Sequence, residues 1–347
     1  MKTITVKAES KISRIFIGER LSNLHKYLPD RKTMIITDSN IIKHYGKDFP
    51  PGIPLIDIGL GEKNKTLQTI DLIMEKMLAS EIDRTGFILA IGGGIVCDVA
   101  GFAASIYMRG LPFGFVSTTL LSQVDASVGG KNGVNYEGYK NMIGVFHQPE
   151  FVICDNSLFT TLDKEEFRSG FAEIIKAGVI KSPSLFEFCK KKSKEALSNE
   201  SDIITKMIYE SVKIKADIVE IDEKETGERR LLNFGHTFAH SLEKTTGMLH
   251  GKAVSIGMIL AAMVSEKIGL LKTQEVQEIK EVLELFGLPT KSEIPVTQLF
   301  EAMKHDKKRE RDSINMVLLD KIGHAVTQKL TYINLQKIIH DLRSDIG

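Results

Sequence analysis

The sequence has no tryptophan and only three cysteines, Cys97, Cys154 and Cys189, among 347 residues. Three widely spaced cysteines are an odd number, and they form neither a disulfide framework nor a zinc-binding pattern. A charge excess is also missing, because 46 Lys plus Arg face 45 Asp plus Glu, for a net charge of +1. The balance argues against a nucleic-acid-binding protein, which normally shows a basic excess.

Long hydrophobic runs are absent as well. No apolar run approaches the roughly 20 residues that span a bilayer. The N-terminal stretch MKTITVKAES lacks the apolar core of a signal peptide. Together with the unpaired cysteines, these absences predict a cytoplasmic protein with reduced thiols.

Short apolar runs alternate with helical patterns in the first part of the chain. The strand-like runs lie at residues 34–37, 54–59, 87–91, 113–117 and 151–155. Helical periodicity dominates from about Leu162 to about Leu288, and a hairpin pattern follows. The sequence therefore predicts an α/β domain with a mostly parallel, Rossmann-like sheet over residues 1–161 and a mostly α-helical domain over residues 162–347.

The strand-like run from Phe87 to Ile91 leads into three consecutive glycines and then into a helical pattern. Glycines let the backbone approach a phosphate, and a helix N-terminus presents free N–H groups to it. The plainer alternative is a tight turn without a ligand, and the motif is not GxGxxG. Asp98 in the first helical turn can satisfy the helix dipole or bind a ligand amide or ribose. Asp38, after the run 34–37, can bind a ribose or serve as an N-cap.

A second glycine-rich run, Gly129–Gly133, is predicted to be irregular and to resemble a backbone-rich anion loop. Lys131 and Lys140 would supply point charges to a phosphate there, and Arg109 a planar fork. Several basic groups near two glycine loops favour a phosphorylated ligand.

Three histidines, His236, His240 and His250, lie within fifteen residues of one another in the helical half. The first two are spaced i and i+4, so they share a helix face. Glu173, flanked by apolar residues, adds a carboxylate, and two imidazoles with one carboxylate suit a catalytic divalent metal such as zinc. The spacing leaves open which two histidines bind, and helix-cap or core roles are the alternative. Lys176 shares the helix face of Glu173 and would add a cation for a polyanionic substrate.

Taken together, these motifs resemble one family, the 3-dehydroquinate synthases. The motifs that carry the resemblance occur in the family's order: GGGIVCDVAGF, YMRG, STTLL, QVDASVGGK, GYKNMIGVFHQP, GFAEIIKAG, ERRLLNFGHTFAHSLE and LHGKAVSIGM. With looser matches at either end, the resemblance covers about residues 38–323. It implies a dehydroquinate synthase-like fold, with an NAD-binding N-terminal domain and a metal- and substrate-binding C-terminal domain.

The resemblance also implies roles for particular residues. The metal ligands would be Glu173, His236 and His250. NAD would contact Asp38, Asn40, Glu62, Lys65, Gly93, Gly94, Asp98, Thr118, Thr119, Lys131, Lys140, Thr161 and Leu162. The substrate would contact Arg109, Asp125, Lys131, Asn141, Lys176, Lys215, Arg229, Asn233, His240 and either Lys307 or Lys308. Seven of these would also be catalytic: Lys131, Asn141, Lys176, Lys215, Arg229, Asn233 and His240.

The implied reaction is the conversion of 3-deoxy-D-arabino-heptulosonate 7-phosphate to 3-dehydroquinate and phosphate, with NAD and Zn²⁺ or Co²⁺ as cofactors. The implied assembly is a homodimer in which Arg109 reaches the neighbouring active site. The chain departs from the family's pattern at Val96-Cys97, at Asn132–Asn135 and at Lys252. The alternatives are another sugar phosphate cyclase, of the 2-deoxy-scyllo-inosose or valiolone type, a metal-dependent polyol dehydrogenase, and a non-catalytic NAD-binding protein.

Overall fold

The computed structural model describes residues 1–292, 294–304 and 313–346. The chain forms two compact units: Met1–Asp163 with Ile204–Lys224, and Lys164–Ile203 with Glu225–Gly347. The helical segment Ile204–Lys224 therefore packs with the N-terminal unit. A single boundary along the chain would place this segment in the C-terminal domain. The division into binding domains at residues 161 and 162 stays a prediction.

The first unit is built on strands β1 to β9. They are β1 (Lys2–Lys7), β2 (Ile12–Ile17), β3 (Thr33–Thr37), β4 (Leu55–Asp57), β5 (Phe87–Gly92), β6 (Phe113–Ser117), β7 (Lys131–Tyr136), β8 (Tyr139–Phe146) and β9 (Phe151–Cys154). Its helices ahead of residue 163 are α1 (Ser39–Tyr45), α2 (Leu67–Ala79) and α3 (Gly94–Ile106).

Seven of these strands form one sheet in the order β1-β2-β9-β6-β5-β3-β4. Each neighbouring pair is parallel except β1 and β2. This confirms the predicted mostly parallel sheet. The central strands β3, β5, β6 and β9 are buried along their whole length, and for that reason they appear as continuous apolar runs in the sequence.

The chain reverses its direction of travel across the sheet between β3 and β5. It runs outward from β3 to the edge strand β4, returns to the other side of β3 to form β5, and continues to β6. Open α/β sheets bind ligands at the carboxyl ends of the strands at such a switch point. Asp38 follows β3 and Gly93 follows β5, so both lie at this point.

Strands β7 and β8 form a separate antiparallel hairpin. The prediction that the whole run Gly129–Gly133 is irregular was therefore wrong for Lys131, Asn132 and Gly133, which belong to β7. Within this run, only Gly129 and Gly130 have left-handed φ values, 97° and 67°. A Cβ on Gly133 would lie 2.5 Å from Ile143 O, so this glycine permits the close approach of β8.

The remaining described part of the chain is mostly helical. The helices are α4 (Lys164–Lys181), α5 (Pro183–Lys191), α6 (Ser193–Leu197), α7 (Ser201–Ile221), α8 (His236–Thr246), α9 (His250–Lys267), α10 (Thr273–Leu285), α11 (Val296–Lys304) and α12 (Tyr332–Ile346). Most of α7 belongs to the first unit. Strands β10 (Ser313–Lys321) and β11 (His324–Thr331) form the predicted hairpin.

Helices α4 and α9 make close contact in the second unit. Gly251, next to the first residue of α9, donates its N–H to Ser169 Oγ on α4 at 2.9 Å. Ser169 thereby satisfies an N–H that the start of a helix leaves without an intrahelical partner. Among the described helices, the combination of length and apolar character that membrane crossing demands does not occur.

Candidate functional site

The second unit brings Glu173, His236 and His250 together. One ligand atom from each lies within 4.8 Å of the others. His250 Nε2 is 3.3 Å from Glu173 Oε1, and His236 Nε2 is 3.8 Å from the same oxygen. The three residues come from α4, α8 and α9, so tertiary packing assembles the cluster.

The two histidine rings are oriented through their Nδ1 atoms. His250 Nδ1 is 3.1 Å from Glu243 Oε1, and His236 Nδ1 is 3.3 Å from Phe234 O. An acceptor at Nδ1 holds the proton of the neutral ring there, so a metal that displaces the proton at Nε2 finds a lone pair on that nitrogen. Two imidazole nitrogens and a carboxylate oxygen that face one another are a donor set suited to zinc or cobalt.

Burial and the neighbouring charges shift the pKa values of the two rings in opposite directions. Burial lowers the pKa of His250, but the hydrogen bonds that the ring donates to Glu173 and Glu243, together with their negative charges, outweigh it and raise the pKa to about 9. Burial, followed by the positive charge of Lys176, holds the pKa of His236 well below its ordinary value. Lys176 forms a buried ion pair with Glu173. The cluster thus combines a carboxylate with a nearby cation.

Other predicted substrate residues of the second unit lie near α8. His240 packs edge-on against His236, with ring centroids 5.5 Å apart. Asn233 donates to the Glu225 carboxylate. Arg229, fully buried in the 3-10 helix Glu228–Asn233, has an Nε without a hydrogen-bond partner among the described residues.

In the first unit, the glycine turn after β5 fits a phosphate. Gly93 precedes α3, and a Cβ on it would lie 3.0 Å from Thr119 Cγ2. A Cβ on Gly94 would lie 3.1 Å from Ala126 Cβ. Thr118 Oγ1, after β6, is buried without a hydrogen-bond partner in the described part of the chain. Close-packed glycines, a helix N-terminus and an unsatisfied hydroxyl together suit a dinucleotide.

Asp38 directly follows β3 as the N-cap of α1, and it accepts from the N–H groups of Asn40 and Ile41 at 2.9 and 3.0 Å. Burial raises its pKa. Both roles predicted for Asp38 are compatible with this geometry, because the second carboxylate oxygen takes no part in these two bonds.

Lys65 joins several of the predicted ligand-binding residues. Its buried ammonium group pairs with the Asp98 carboxylate and donates to Asn141 Oδ1. Burial raises the pKa of Asp98, although Lys65 opposes that effect. Glu62 accepts a hydrogen bond from Asn135 at 2.8 Å. Sequence motifs separated by more than 30 residues thus meet around one lysine.

Asp125 and Lys215 form a second polar group in the first unit. Lys215 Nζ pairs with the Asp125 carboxylate and donates to Asp125 O at 2.7 Å. Asp125 lies in a π-helical turn, Ser122–Ala126, of a kind often found at functional sites.

The other predicted residues are more exposed or lie outside the described part. Arg109 is exposed with a left-handed φ of 71°, and Lys131, Lys140, Asn40 and Thr161 are exposed as well. Thr161 Oγ1 is 2.7 Å from the Tyr45 hydroxyl, and Leu162 is half-buried. Lys307 and Lys308 lie outside the described residues.

Sequence reasoning assigned no role to two residues that organise these groups, Glu243 and Asn135. Glu243 continues the spacing of His236 and His240 at i+7, which places it on the same helix face. That spacing could have pointed to Glu243. No local pattern pointed to Asn135, because its contacts depend on tertiary structure.

Comparison with known proteins gives two adjacent family matches. The 3-dehydroquinate synthase N-terminal model matches residues 55–169, and the 3-dehydroquinate synthase C-terminal model matches residues 170–309. A 3-dehydroquinate synthase of Halorhodospira halophila is 37% identical over 336 residues, covering 94% of this chain and 95% of the relative. One of Campylobacter jejuni subsp. doylei is 40% identical over 335 residues, covering 93% and 94%.

Two solved structures share the fold. The 2-epi-5-epi-valiolone synthase of Streptomyces hygroscopicus, with NAD⁺ and Zn²⁺ bound, has a TM-score of 0.86 at 25% identity and covers 99% of this chain and 100% of its own. A 2-deoxy-scyllo-inosose synthase complexed with carbaglucose-6-phosphate, NAD⁺ and Co²⁺ has a TM-score of 0.85 at 25% identity, covering 98% and 100%. The expected fold class is confirmed. The chain belongs to the 3-dehydroquinate synthase family, and its function is that family's NAD- and divalent-metal-dependent lyase reaction.

Proposed function

We propose that Glu173, His236 and His250 hold the divalent metal with which the chain converts 3-deoxy-D-arabino-heptulosonate 7-phosphate to 3-dehydroquinate and phosphate. The observation that carries this proposal is the pair of Nε2 atoms directed at Glu173 Oε1, each with its Nδ1 anchored behind it. A divalent metal in such a site supplies Lewis acidity toward hydroxyl oxygens of the substrate.

The reaction is redox-neutral overall. The substrate's C5 hydroxyl is oxidised transiently, phosphate leaves by β-elimination, and the ketone is reduced again before ring opening and aldol closure. Bound NAD would serve as a hydride acceptor that is regenerated within the cycle, so no NAD would be consumed. The chain's own part is to bind the cofactor, orient the sugar and neutralise its charges.

We propose that the first unit binds NAD at the switch point of its sheet. Gly93 and Gly94 would face the pyrophosphate, where a helix N-terminus favours negative charge. Thr118 would donate its otherwise unpaired hydroxyl to the cofactor. The remaining proposed contacts are Asp38, Asn40, Glu62, Lys65, Asp98, Thr119, Lys131, Lys140, Thr161 and Leu162.

The substrate carries a phosphate and a carboxylate, and we propose that basic side chains neutralise both. In the second unit these are Lys176 and Arg229, with Asn233 and His240 as candidates for ordering water or moving a proton. In the first unit they are Lys131 and Lys215, with Asp125 and Asn141 as hydrogen-bonding partners of the sugar. Lys307 is proposed to contribute a further charge.

Another sugar phosphate cyclase activity is the second candidate, because valiolone and inosose synthases share the fold with TM-scores of 0.86 and 0.85. Their identity to this chain is 25%, against 37% and 40% for the two dehydroquinate synthases. The lower identity makes them the weaker candidate.

The deciding experiment incubates the purified protein with 3-deoxy-D-arabino-heptulosonate 7-phosphate, NAD and zinc. We expect phosphate and dehydroquinate in equal amounts and no net NADH. No phosphate release from protein that holds zinc and NAD would reject the proposal. Sugar 6-phosphates, tested in parallel, would then reveal the alternative cyclase.

Two histidine variants test the metal ligands. His236→Ala should lose bound zinc and activity together. His324→Ala is the matched control, because His324 is an exposed residue of the β10–β11 hairpin and bonds Asp320 instead. Zinc content measured by mass spectrometry separates ligand loss from unfolding, which circular dichroism monitors. Retention of zinc by folded His236→Ala protein would contradict the assignment.

We propose further that the protein is a cytoplasmic homodimer in which Arg109 reaches the neighbouring active site. Arg109 is exposed beside Ile106 and Met108, which are 42% and 46% exposed. Met142 and Phe146 on β8 are exposed as well. Exposed apolar side chains, two of them close to a basic residue along the chain, suit an interface between copies. The unpaired buried cysteines suit a reducing compartment.

A subunit-mixing experiment tests this arrangement. Arg109→Ala and His236→Ala protomers are each inactive alone under the proposal. A heterodimer would contain one complete site, so an equimolar mixture should regain about a quarter of wild-type activity, given random pairing in a two-fold dimer. No recovery in a mixture shown to exchange subunits would reject the role of Arg109.

A further inference from the structure

The hairpin of β7 and β8 contains an irregularity that falls on predicted ligand-binding residues. Val134 pairs with Ile143 and Tyr136 pairs with Tyr139, so one residue of β7 faces three residues of β8. The single residue is Asn135, and the three opposite it include Lys140 and Asn141. Bulges near active sites re-aim side chains that a regular ladder would direct elsewhere.

Asn135 uses its backbone and side chain to make contacts outside the ladder. Its N–H donates to Lys65 O at 2.9 Å. Its Oδ1 accepts from the N–H of Asn141 at 2.9 Å, and its Nδ2 donates to Glu62 Oε1 at 2.8 Å. One asparagine therefore contacts three residues to which the proposed function gives ligand-binding roles.

The conformation of Asn141 shows why such a contact is needed. Its φ is 51°, in the left-handed region, which few residues with a Cβ adopt and which asparagine enters more readily than most. Its N–H bonds Asn135, and its side chain accepts from the Lys65 ammonium group. These two anchors select the left-handed conformation of Asn141 from those open to an asparagine.

We infer that Asn135 is a positioning residue, which fixes Asn141 for the substrate through its Oδ1 and Glu62 for NAD through its Nδ2. The inference rests on the proposed roles of Asn141 and Glu62, and it adds a residue that contacts neither ligand. An amide serves both contacts at once because it has an acceptor oxygen and a donor nitrogen.

Two substitutions separate the two halves of this role. Asn135→Asp keeps an oxygen for the Asn141 N–H but places a second carboxylate against Glu62. Asn135→Ala removes both contacts. Loss of one hydrogen bond typically reduces affinity by about two- to tenfold. We therefore expect weaker NAD binding in both variants and a raised KM for the sugar phosphate only in Asn135→Ala.

The measurements use the zinc-loaded full chain. Calorimetric titration with NAD gives the cofactor affinity without turnover, and steady-state assays at saturating NAD give KM and kcat for 3-deoxy-D-arabino-heptulosonate 7-phosphate. The double variant Asn135→Asp with Glu62→Gln exchanges donor and acceptor between the two side chains. Because the side chains at positions 135 and 62 contact each other, Asn135→Asp should lower NAD affinity less in the Glu62→Gln background than in wild type.

Asn315→Ala is the matched control, because Asn315 is an exposed strand asparagine in the hairpin of β10 and β11, opposite Lys329. Asn315→Ala should change neither the NAD affinity nor the KM for the sugar phosphate. Asn135→Ala protein that is folded by circular dichroism and keeps wild-type NAD affinity and KM would overturn the inference. Equal KM increases in the alanine and aspartate variants would overturn the assignment of Oδ1 to Asn141. Wild-type protein that binds no NAD would instead overturn the proposed function, and the inference with it.

Discussion

Replacing Glu243 with alanine should weaken metal binding without removing any of the three proposed ligands. Glu243 Oε1 lies 3.1 Å from His250 Nδ1, on the side of the ring opposite the cluster. Without this acceptor the ring can rotate and can carry its proton on Nε2. The atom that faces Glu173 would then be directed less well, or would be blocked by the proton.

The expected loss follows from the burial of the carboxylate. Removing the hydrogen-bond partner of a metal-binding histidine typically lowers affinity about 10- to 100-fold, or about 1.4–2.8 kcal/mol. The Glu243 side chain is only 3% exposed, so bulk water cannot readily replace it. We expect the upper half of that range for Glu243→Ala. Glu243→Gln keeps an acceptor but loses the charge, and charge-assisted hydrogen bonds are about twice as strong as neutral ones. For Glu243→Gln we therefore expect a loss of zinc affinity in the lower half of the same range.

Competition for zinc against a coloured chelator measures the affinity directly, on protein without NAD. Glu281→Gln is the matched control, because Glu281 is an exposed glutamate on α10 whose partner is Gln277. Circular dichroism establishes that each variant is folded. Wild-type zinc affinity in folded Glu243→Ala protein would refute the reasoning that the hydrogen bond at His250 Nδ1 orients the ring for metal binding.

Two further predictions concern the first unit. Lys65→Met should leave the Asp98 carboxylate without its ammonium partner, lowering NAD affinity and reducing the free energy of unfolding by ~1–3 kcal/mol, the typical cost of an unsatisfied buried polar group. The double variant Lys65→Met with Asp98→Asn should recover part of that stability, as measured by chemical denaturation. If the stability losses of the two single variants simply add in the double variant, the ion pair between Lys65 and Asp98 does not contribute. Burial and a hydrogen bond to the Glu19 carboxylate raise the pKa of Tyr27 from its ordinary value of 10 to about 12. The stability that comes from keeping this phenol protonated in the folded protein is therefore complete below pH 10, and it is lost as the pH rises from 10 to 12. Tyr27 should therefore still be protonated near pH 10.5, and Tyr27→Phe protein should show the same phenolate absorbance as wild type at that pH. The absorbance is measurable because the chain has no tryptophan. A lower phenolate absorbance in the variant than in wild type would contradict the raised pKa.

The sheet and most helices could be predicted because their patterns are local. Strands such as β3 and β5 are buried on both faces, so an apolar run identifies them. The long helix α7, Ser201–Ile221, lies within the range over which helical periodicity was predicted, from about Leu162 to about Leu288. Strands β1 and β2 received no prediction, although alternating burial is itself the local signal of a strand with one covered face. Their place in the sheet depends on the pairing of β2 with β9, far along the chain.

The metal cluster shows where local reasoning reaches its limit. Spacing put His236 and His240 on one helix face and left the choice among three histidines open. In the structure His236 and His250 point Nε2 at Glu173, whereas His240 packs against the edge of His236. Helix packing makes that difference, because Glu173 and the two rings belong to three separate helices. Their role as ligands stays a prediction.

The sequence by itself determined the class of fold, the glycine turn after β5 and the types of side chain available for metal and phosphate, because residue type and short-range periodicity record them. Only the tertiary structure decided that Asn135 bridges Glu62 and Asn141, that Lys65 pairs with Asp98 and that Glu243 lies behind His250. Apart from the seven-residue step from Glu243 to His250, these partners are separated along the chain or joined through a bulge. Their contacts depend on how whole strands and helices pack, which a single sequence does not state.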